Sequence, residues 1–316
     1  MTTKINDLKI IYMGTPQFAV APLKSLLEND FKVVAVVTAP DKPAGRGKKL
    51  KASEVKVFAE QHNLKILQPN SLKDPKFLKE LKELNANLFI VVAFRMLPKI
   101  VWEIPKFGTF NIHASLLPDY RGAAPINHVL INGEKVTGLT SFFINEEIDS
   151  GNIILKKECL IEDEDNFGTL HDKLMHMSES FVIETIKIIC SENFNPKPQS
   201  ELLSGKELHL APKITKEFCQ IDFNKSSISI HNFIRGLSPY PGAYTFIEKD
   251  VMLKIFKSEY KIENQNLAKP GTIITDNKNF LIFSTVDGYI EVLDLQISGR
   301  KRMQIKEFLN GYKFNQ

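Results

Sequence analysis

Apolar residues in the first half of the chain arrive in short unbroken runs: "LKIIYM" (Leu8–Met13), "KVVAVVT" (Lys32–Thr38) and "NLFIVVAF" (Asn87–Phe94). Runs of this length without polar alternation read as strands covered on both faces. Between them, "FAVAPLKSLLEND", "SEVKVFAEQHN" and the segment from Asp74 to Leu84 space their apolar residues as helices do, with Ser53 placed to cap the second. Alternating strands and helices predict parallel strands joined by crossover helices, hence an open, doubly wound, mostly parallel α/β sheet. Such sheets bind ligands outside the carboxyl ends of their strands. The loops that begin at Gly14, Pro40, Phe94 and His113 are expected along that edge.

The texture then changes. "FNPKPQSELLSG" (Phe194–Gly205) carries two prolines among polar residues and reads as a linker. Beyond it, "GAYTFI", "VMLKIFKSEYKI", "GTIITD", "NFLIFST" and "GYIEVLDLQI" are short strands separated by turn residues, with one helix near Ser226 to Arg235. This half predicts a small antiparallel β-barrel of the OB-like kind. The expected organisation is a catalytic domain over residues 1–193, a linker over 194–206 and a barrel over 207–316.

Bulk properties narrow the class. The 316 residues are enough for two cores, with 43% hydrophobic and 25% charged residues. A net charge of +4 excludes a histone-like coat but leaves room for a local basic patch that binds RNA. Cys159, Cys190 and Cys219 are scattered and odd in number, which fits a reducing compartment better than a disulfide framework. No Cys/His group has zinc spacing, and no metal is expected. The start shows no secretory pattern, and the longest apolar run is too short to span a bilayer, so a soluble cytoplasmic protein is expected.

The first domain lacks the usual cofactor signatures. "MGTPQF" offers one glycine where a dinucleotide fingerprint needs three. "PAGRGKKL" lacks the spacing and the Ser/Thr of a phosphate loop, and no G-x-S-x-G elbow occurs. What remains is "TFNIHAS". Asn111 and His113 are two apart and so share one face of a strand. Further on, Asp149 precedes Ser150-Gly151 at a strand end. A carboxylate near an imidazole sets its orientation and favours its charged form, and a carboxamide donates to an oxyanion without changing charge. The trio suits direct transfer of an acyl or formyl group to an amine. The same residues also suit a purely structural role, with Asn111 and His113 satisfying backbone groups and Asp149 capping a turn.

"FNIHASLLPDYRGAAPI" (Phe110–Ile126) followed by "EEIDSGNI" resembles the folate-dependent formyltransferases. "YMGTPQFA", "APDKPAGRGKKLKASEVK", "LAPKITKE", "HNFIRGLSPYPGAYT" and "GRKRMQIKEFLNG" are similar to the tRNA-acting branch of that family, and the likeness spans both domains. The resemblance implies that Asn111, His113 and Asp149 are catalytic. It implies 10-formyltetrahydrofolate as formyl donor and the α-amine of methionine on initiator tRNA as acceptor, in translation initiation. Folate is expected against Phe94, Arg95, Met96 and Leu97, against Ser115, Leu116, Leu117 and Pro118, and against Asn145, with Leu116 and Leu117 offering apolar surface to the pterin. The basic loop residues Lys42, Arg46, Lys48, Lys49 and Lys51 are expected to meet tRNA, as are Arg235, Arg300, Lys301 and Arg302 in the second domain. A monomer is the default.

Two departures from the family pattern stand out. Lys42 occupies a position that is often Arg, which keeps the charge but loses the planar fork. "AFRMLP" (Ala93–Pro98) replaces an Ala-Tyr-Gly-type run, which alters the side-chain lining of the pterin pocket. The alternatives are a formyltransferase acting on a small amine, a hydrolase of 10-formyltetrahydrofolate, and a non-catalytic RNA-binding protein.

Overall fold

The computed structural model describes residues 5–44, 49–192, 194–202, 207–248, 251–263 and 268–314. In chain order the first part runs β1 (Lys9–Gly14), α1 (Val20–Glu28), β2 (Lys32–Val37), β3 (Lys42–Ala44), β4 (Lys49–Lys51), α2 (Glu54–Gln61), β5 (Ile66–Leu67), α3 (Pro75–Glu83), β6 (Leu88–Val92), α4 (Lys99–Trp102), β7 (Thr109–His113), β8 (Arg121–Gly122), α5 (Pro125–Ile131), β9 (Val136–Phe143), β10 (Ile153–Leu160) and α6 (Phe167–Ile189). There follow β11 (Leu210–Ala211), α7 (Ser227–Leu237), β12 (Ala243–Glu248), β13 (Val251–Ile262), β14 (Ile273–Thr275), β15 (Leu281–Ser284), β16 (Gly288–Ile297), β17 (Met303–Gln304) and α8 (Ile305–Gly311).

Contacts group the chain into two units. One holds residues 1–121, 137–159 and 171–209; the other holds 122–136, 160–170 and 210–316. The division is therefore not a single cut in chain order. Residues 122–136 and 160–170, which precede the expected linker, group with the C-terminal residues because α5 packs on α7.

In the first unit a seven-stranded sheet has the order β10-β9-β7-β6-β1-β2-β5. Strands β5, β2, β1, β6 and β7 run parallel, and β9 joins β7 antiparallel. The strand β6 is buried at every position, and β1 at all but its first, which is why their sequences show apolar runs instead of alternation. Ile11, Met13, Val37, Phe89 and Val91 pack against Phe77, Leu78 and Leu81 of α3. The predicted Ser53 cap forms, accepting from the Lys56 amide, and Asp74 caps α3 by accepting from the Lys76 amide. Parallel strands put the ends of β1, β2, β6 and β7 along one edge.

The second unit is built on an antiparallel sheet of order β12-β13-β16-β15-β14, with β17 on β16. The path runs from β12 to β14 with no pairing between those two among the described residues, so the barrel-like domain takes the form of a half-barrel. Alternate residues of β16, including Ile290 and Val292, turn into a core completed by Ile230 and Ile234 of α7 and by Phe308 and Leu309 of α8. Ser226 caps α7, accepting from the Ser229 amide.

Candidate active site

The chain leaves the sheet at His113, the last residue of β7. Asn111 and His113 lie on the same strand face, opposite Phe142 and Thr140 of β9. His113 is 6% exposed. Its Nε2 lies 2.8 Å from the Tyr120 carbonyl oxygen, and a carbonyl can only accept, so Nε2 carries the proton of the neutral ring. That leaves Nδ1 facing outward, 3.7 Å from Asp149 Oδ2. The separation is longer than a direct hydrogen bond and suits a bridging water or a contact that tightens when substrate binds. The Asn111 carboxamide is half-buried and makes no side-chain hydrogen bond among the described residues.

Each partner is held by its own loop. After β7, the Ser115 hydroxyl donates to the Asp119 carbonyl, while the Thr140 hydroxyl donates to the Ser115 carbonyl and accepts from the Leu117 amide. Lys156 Nζ donates to the Leu117 carbonyl. The Tyr120 amide donates to the His209 carbonyl, and the His209 imidazole stacks on the Tyr120 ring at 5.4 Å. The carbonyl that orients His113 is thus itself fixed.

Asp149 sits in the left-handed region at φ 51°. Its turn is closed by Asn145 Oδ1, which accepts from the Glu147 amide and the Ser150 hydroxyl. Gly151 follows because a Cβ there would collide with the Phe143 carbonyl. Buried Gln199 donates from Nε2 to the carbonyls of Asp149 and Gly151. Gln199 escaped sequence reasoning because it lies in the supposed linker, 50 residues from its first partner, and no spacing singles it out.

The expected folate residues behave differently from one another. Phe94 and Arg95 are half-buried, Met96 is 77% exposed and Leu97 is buried. Arg95 donates to the carbonyls of Pro69 and Asn70, with its guanidinium over the Phe94 ring, so it braces the loop after β6 against the loop after β5. Leu116 remains half-buried. Leu117 departs from expectation: it is fully buried against Phe142 and Ile153, and its amide and carbonyl are taken by Thr140 and Lys156. Pro118 and Ser115 are buried, and Asn145 is exposed.

The expected tRNA cations also divide. Lys42 and Lys49–Lys51 lie on β3 and β4, which pair as a short hairpin where a plain loop was expected. Lys42 is exposed, and Lys51 pairs with Glu54 at 2.9 Å. Arg46 and Lys48 lie outside the described residues, as does the Lys49 side chain. At the hairpin's base Asp41 accepts from Lys56 and Gln68, bonds that hold its carboxyl below the usual carboxylate range, chiefly through Lys56. In the second unit Arg235 departs from the expectation of a phosphate contact. It is 8% exposed and donates to the carbonyls of Glu162 and Asp165 and to Asn232 Oδ1. Arg302 is exposed, with its guanidinium forked onto Asp294 and lying over the Phe256 ring. Arg300 and Lys301 are exposed.

Among the described residues no group of three or more His, Cys, Asp or Glu is placed to hold a metal ion. No described helix is long and apolar enough to cross a membrane.

A mixed α/β sheet with an Asn/His strand end, followed by an antiparallel half-barrel, is the plan of a group-transfer enzyme with an appended module. Two family models match it in sequence, that of formyl transferase over residues 8–186 and that of the formyl transferase C-terminal domain over residues 213–313. The chain belongs to the formyl transferase family. Among its relatives, the methionyl-tRNA formyltransferase of Bacteroides fragilis is 50% identical over 313 residues, covering 98% of this chain and 96% of the relative. That of Flavobacterium johnsoniae is 50% identical over 314 residues and covers 98% of each. A sugar 3N-formyltransferase crystallised with dTDP and 5-N-formyl-THF superposes with a TM-score of 0.64 at 25% identity, covering 95% of this chain and all of that one. HypX of Aquifex aeolicus, solved with tetrahydrofolic acid, has the same fold at a TM-score of 0.62 and 18% identity, over 98% of this chain and 48% of its own.

Proposed function

We propose that this chain transfers the formyl group of 10-formyltetrahydrofolate to the α-amine of methionyl initiator tRNA. The observation that carries this reading is the half-identity to methionyl-tRNA formyltransferases along 98% of the chain, both units included. Relatives that act on small amines share the fold at far lower identity.

The site chemistry follows from the atoms. The amine nitrogen attacks the formyl carbon, the C–N bond forms, and the carbonyl oxygen becomes an oxyanion. Asn111 donates to that oxygen from its carboxamide, and His113 donates from Nδ1 when the ring is protonated, since Nε2 is committed to Tyr120. Asp149, as an anion on the same side of the ring, balances the imidazolium and accepts the proton that the amine sheds. The bond to the folate nitrogen then breaks, and that nitrogen takes the proton. The donor lies along the carboxyl edge, with Phe94 and Leu116 supplying apolar surface and buried Ser115, Leu117 and Pro118, with Leu97, forming the wall behind them. Arg95, Met96 and Asn145 border it.

For tRNA, the hairpin cations Lys42, Arg46, Lys48, Lys49 and Lys51 meet the acceptor end, while Arg300 and Lys301 track phosphates. Arg235 and Arg302 build the fold that presents them. The enzyme works as a cytoplasmic monomer. The test is to mix labelled 10-formyltetrahydrofolate with charged initiator tRNA, charged elongator tRNA, a small amine or no acceptor. Label on initiator tRNA alone is expected. Transfer to the small amine, or release of formate without acceptor, would replace this reading with one of the alternatives.

A further inference from the structure

Gln199 opens a short turn (Gln199–Leu202) in the stretch that sequence composition marks as a linker, yet it is 2% exposed. The stretch is anchored: Lys197 exchanges two backbone hydrogen bonds with Ile153 at the start of β10. Gln199 Nε2 donates to the carbonyls of Asp149 and Gly151, each at 2.9 Å. Its Oε1 accepts from Arg121, at 3.2 Å from Nε and 2.6 Å from Nη2. Two donor hydrogens meet two acceptors, and one acceptor meets two donors. The amide therefore cannot be turned over without setting oxygen against two carbonyls and nitrogen against a guanidinium.

The two gripped carbonyls belong to the residues on either side of Ser150. Asp149 holds a left-handed conformation, one that aspartate adopts more readily than most side chains and that the two bonds from Gln199 help to fix. The carboxylate of that residue is the one that stands 3.7 Å from His113 Nδ1.

We propose that Gln199 is a positioning residue for formyl transfer, holding the Asp149 carboxylate against the open edge of His113. This rests on the role given to Asp149 above. Gln199→Met keeps the side-chain length and removes every hydrogen bond. Gln199→Glu keeps an acceptor for Arg121 but sets an oxygen against the two carbonyls. A displaced reacting group of this kind costs about 10- to 100-fold in rate. Each variant is therefore expected to lose kcat on that scale, with the KM values for 10-formyltetrahydrofolate and tRNA within about twofold of the parent.

In an Asp149→Asn background the Gln199 substitutions should cost nothing more, because they act through the carboxylate already removed. The inference is overturned if the single variants keep kcat within about twofold, or if their losses multiply with that of Asp149→Asn. Should Asp149→Asn itself keep full kcat, the site reading falls and takes this inference with it. Where Gln199→Met fails to fold, Arg121→Met releases the other end of the carboxamide, and the same loss and the same silence in the Asp149→Asn background are expected.

Discussion

The candidate catalytic corner of the first unit and the cation set of the second both hold polar side chains, but they leave them in opposite states. His113 is tied at Nε2 and open at Nδ1, and Asn111 has no side-chain partner among the described residues. Arg235 is turned onto the carbonyls of Glu162 and Asp165 and onto Asn232, and Arg302 is forked onto Asp294. A buried polar group costs free energy unless it is paired, so one left without a direct hydrogen bond points to a use beyond the fold. One that spends its donors within the protein serves the fold. Residue type alone does not separate the two cases; the count of satisfied atoms does.

The sharpest way to break this comparison is at its open end. His113→Ala should lower kcat per folded molecule by roughly 10³-fold, within the range for loss of an acid–base or oxyanion group, with some loss of melting temperature because the buried site empties and the Tyr120 carbonyl loses its donor. Asn111→Ala should cost about 10²- to 10³-fold in kcat with folate affinity unchanged, read by single-turnover formylation and by equilibrium folate binding. A near-normal rate for Asn111→Ala would return that residue to the scaffold.

The closed end predicts a different loss. Arg235→Met leaves two backbone carbonyls and an amide oxygen to find new partners and should cost about 2–4 kcal/mol of stability in chemical denaturation. Its kcat per folded molecule should stay near that of the parent. Arg300→Ala with Lys301→Ala should leave stability alone, raise the KM for tRNA several-fold and flatten its log–log salt slope by about 1 to 2. If Arg235→Met flattened that slope while leaving stability intact, Arg235 would be an RNA contact after all.

The smallest effect is on acid stability, and it falls in the second unit. Burial lowers the pKa of His128 and of His231 from the ordinary histidine value. The unfolded chain then binds more protons than the folded one between the folded pKa values and about 6.5, so stability rises with pH across that window. Acidification below about pH 6.5 should loosen the second unit, and His128→Gln should blunt the loss, as followed by denaturation at a series of pH values.

Much of this was legible beforehand. Strands buried on both faces write themselves as apolar runs, and the Ser53 cap is a local signal that needs no knowledge of the fold. The shared face of Asn111 and His113 follows from the pleat of one strand. What stayed hidden depends on partners far along the chain. Arg235 finds Glu162 at a separation of 73 residues, and Gln199 finds Asp149 at 50. A chain read alone shows neither encounter, so Arg235 looked like a surface cation and Gln199 like filler. Leu117 misled for the same reason, since the direction of one side chain after a strand end is decided by Phe142 and Ile153.

The bond from His113 to the Tyr120 carbonyl has a consequence for isotope work. With one imidazole nitrogen anchored, turning the ring over would break that anchor, so the Nε2 proton stays on the ring while the amine's proton passes by way of Asp149. Where that one passage limits the rate, transfer run in mixtures of light and heavy water should follow a straight line against deuterium fraction, the mark of a single proton in flight.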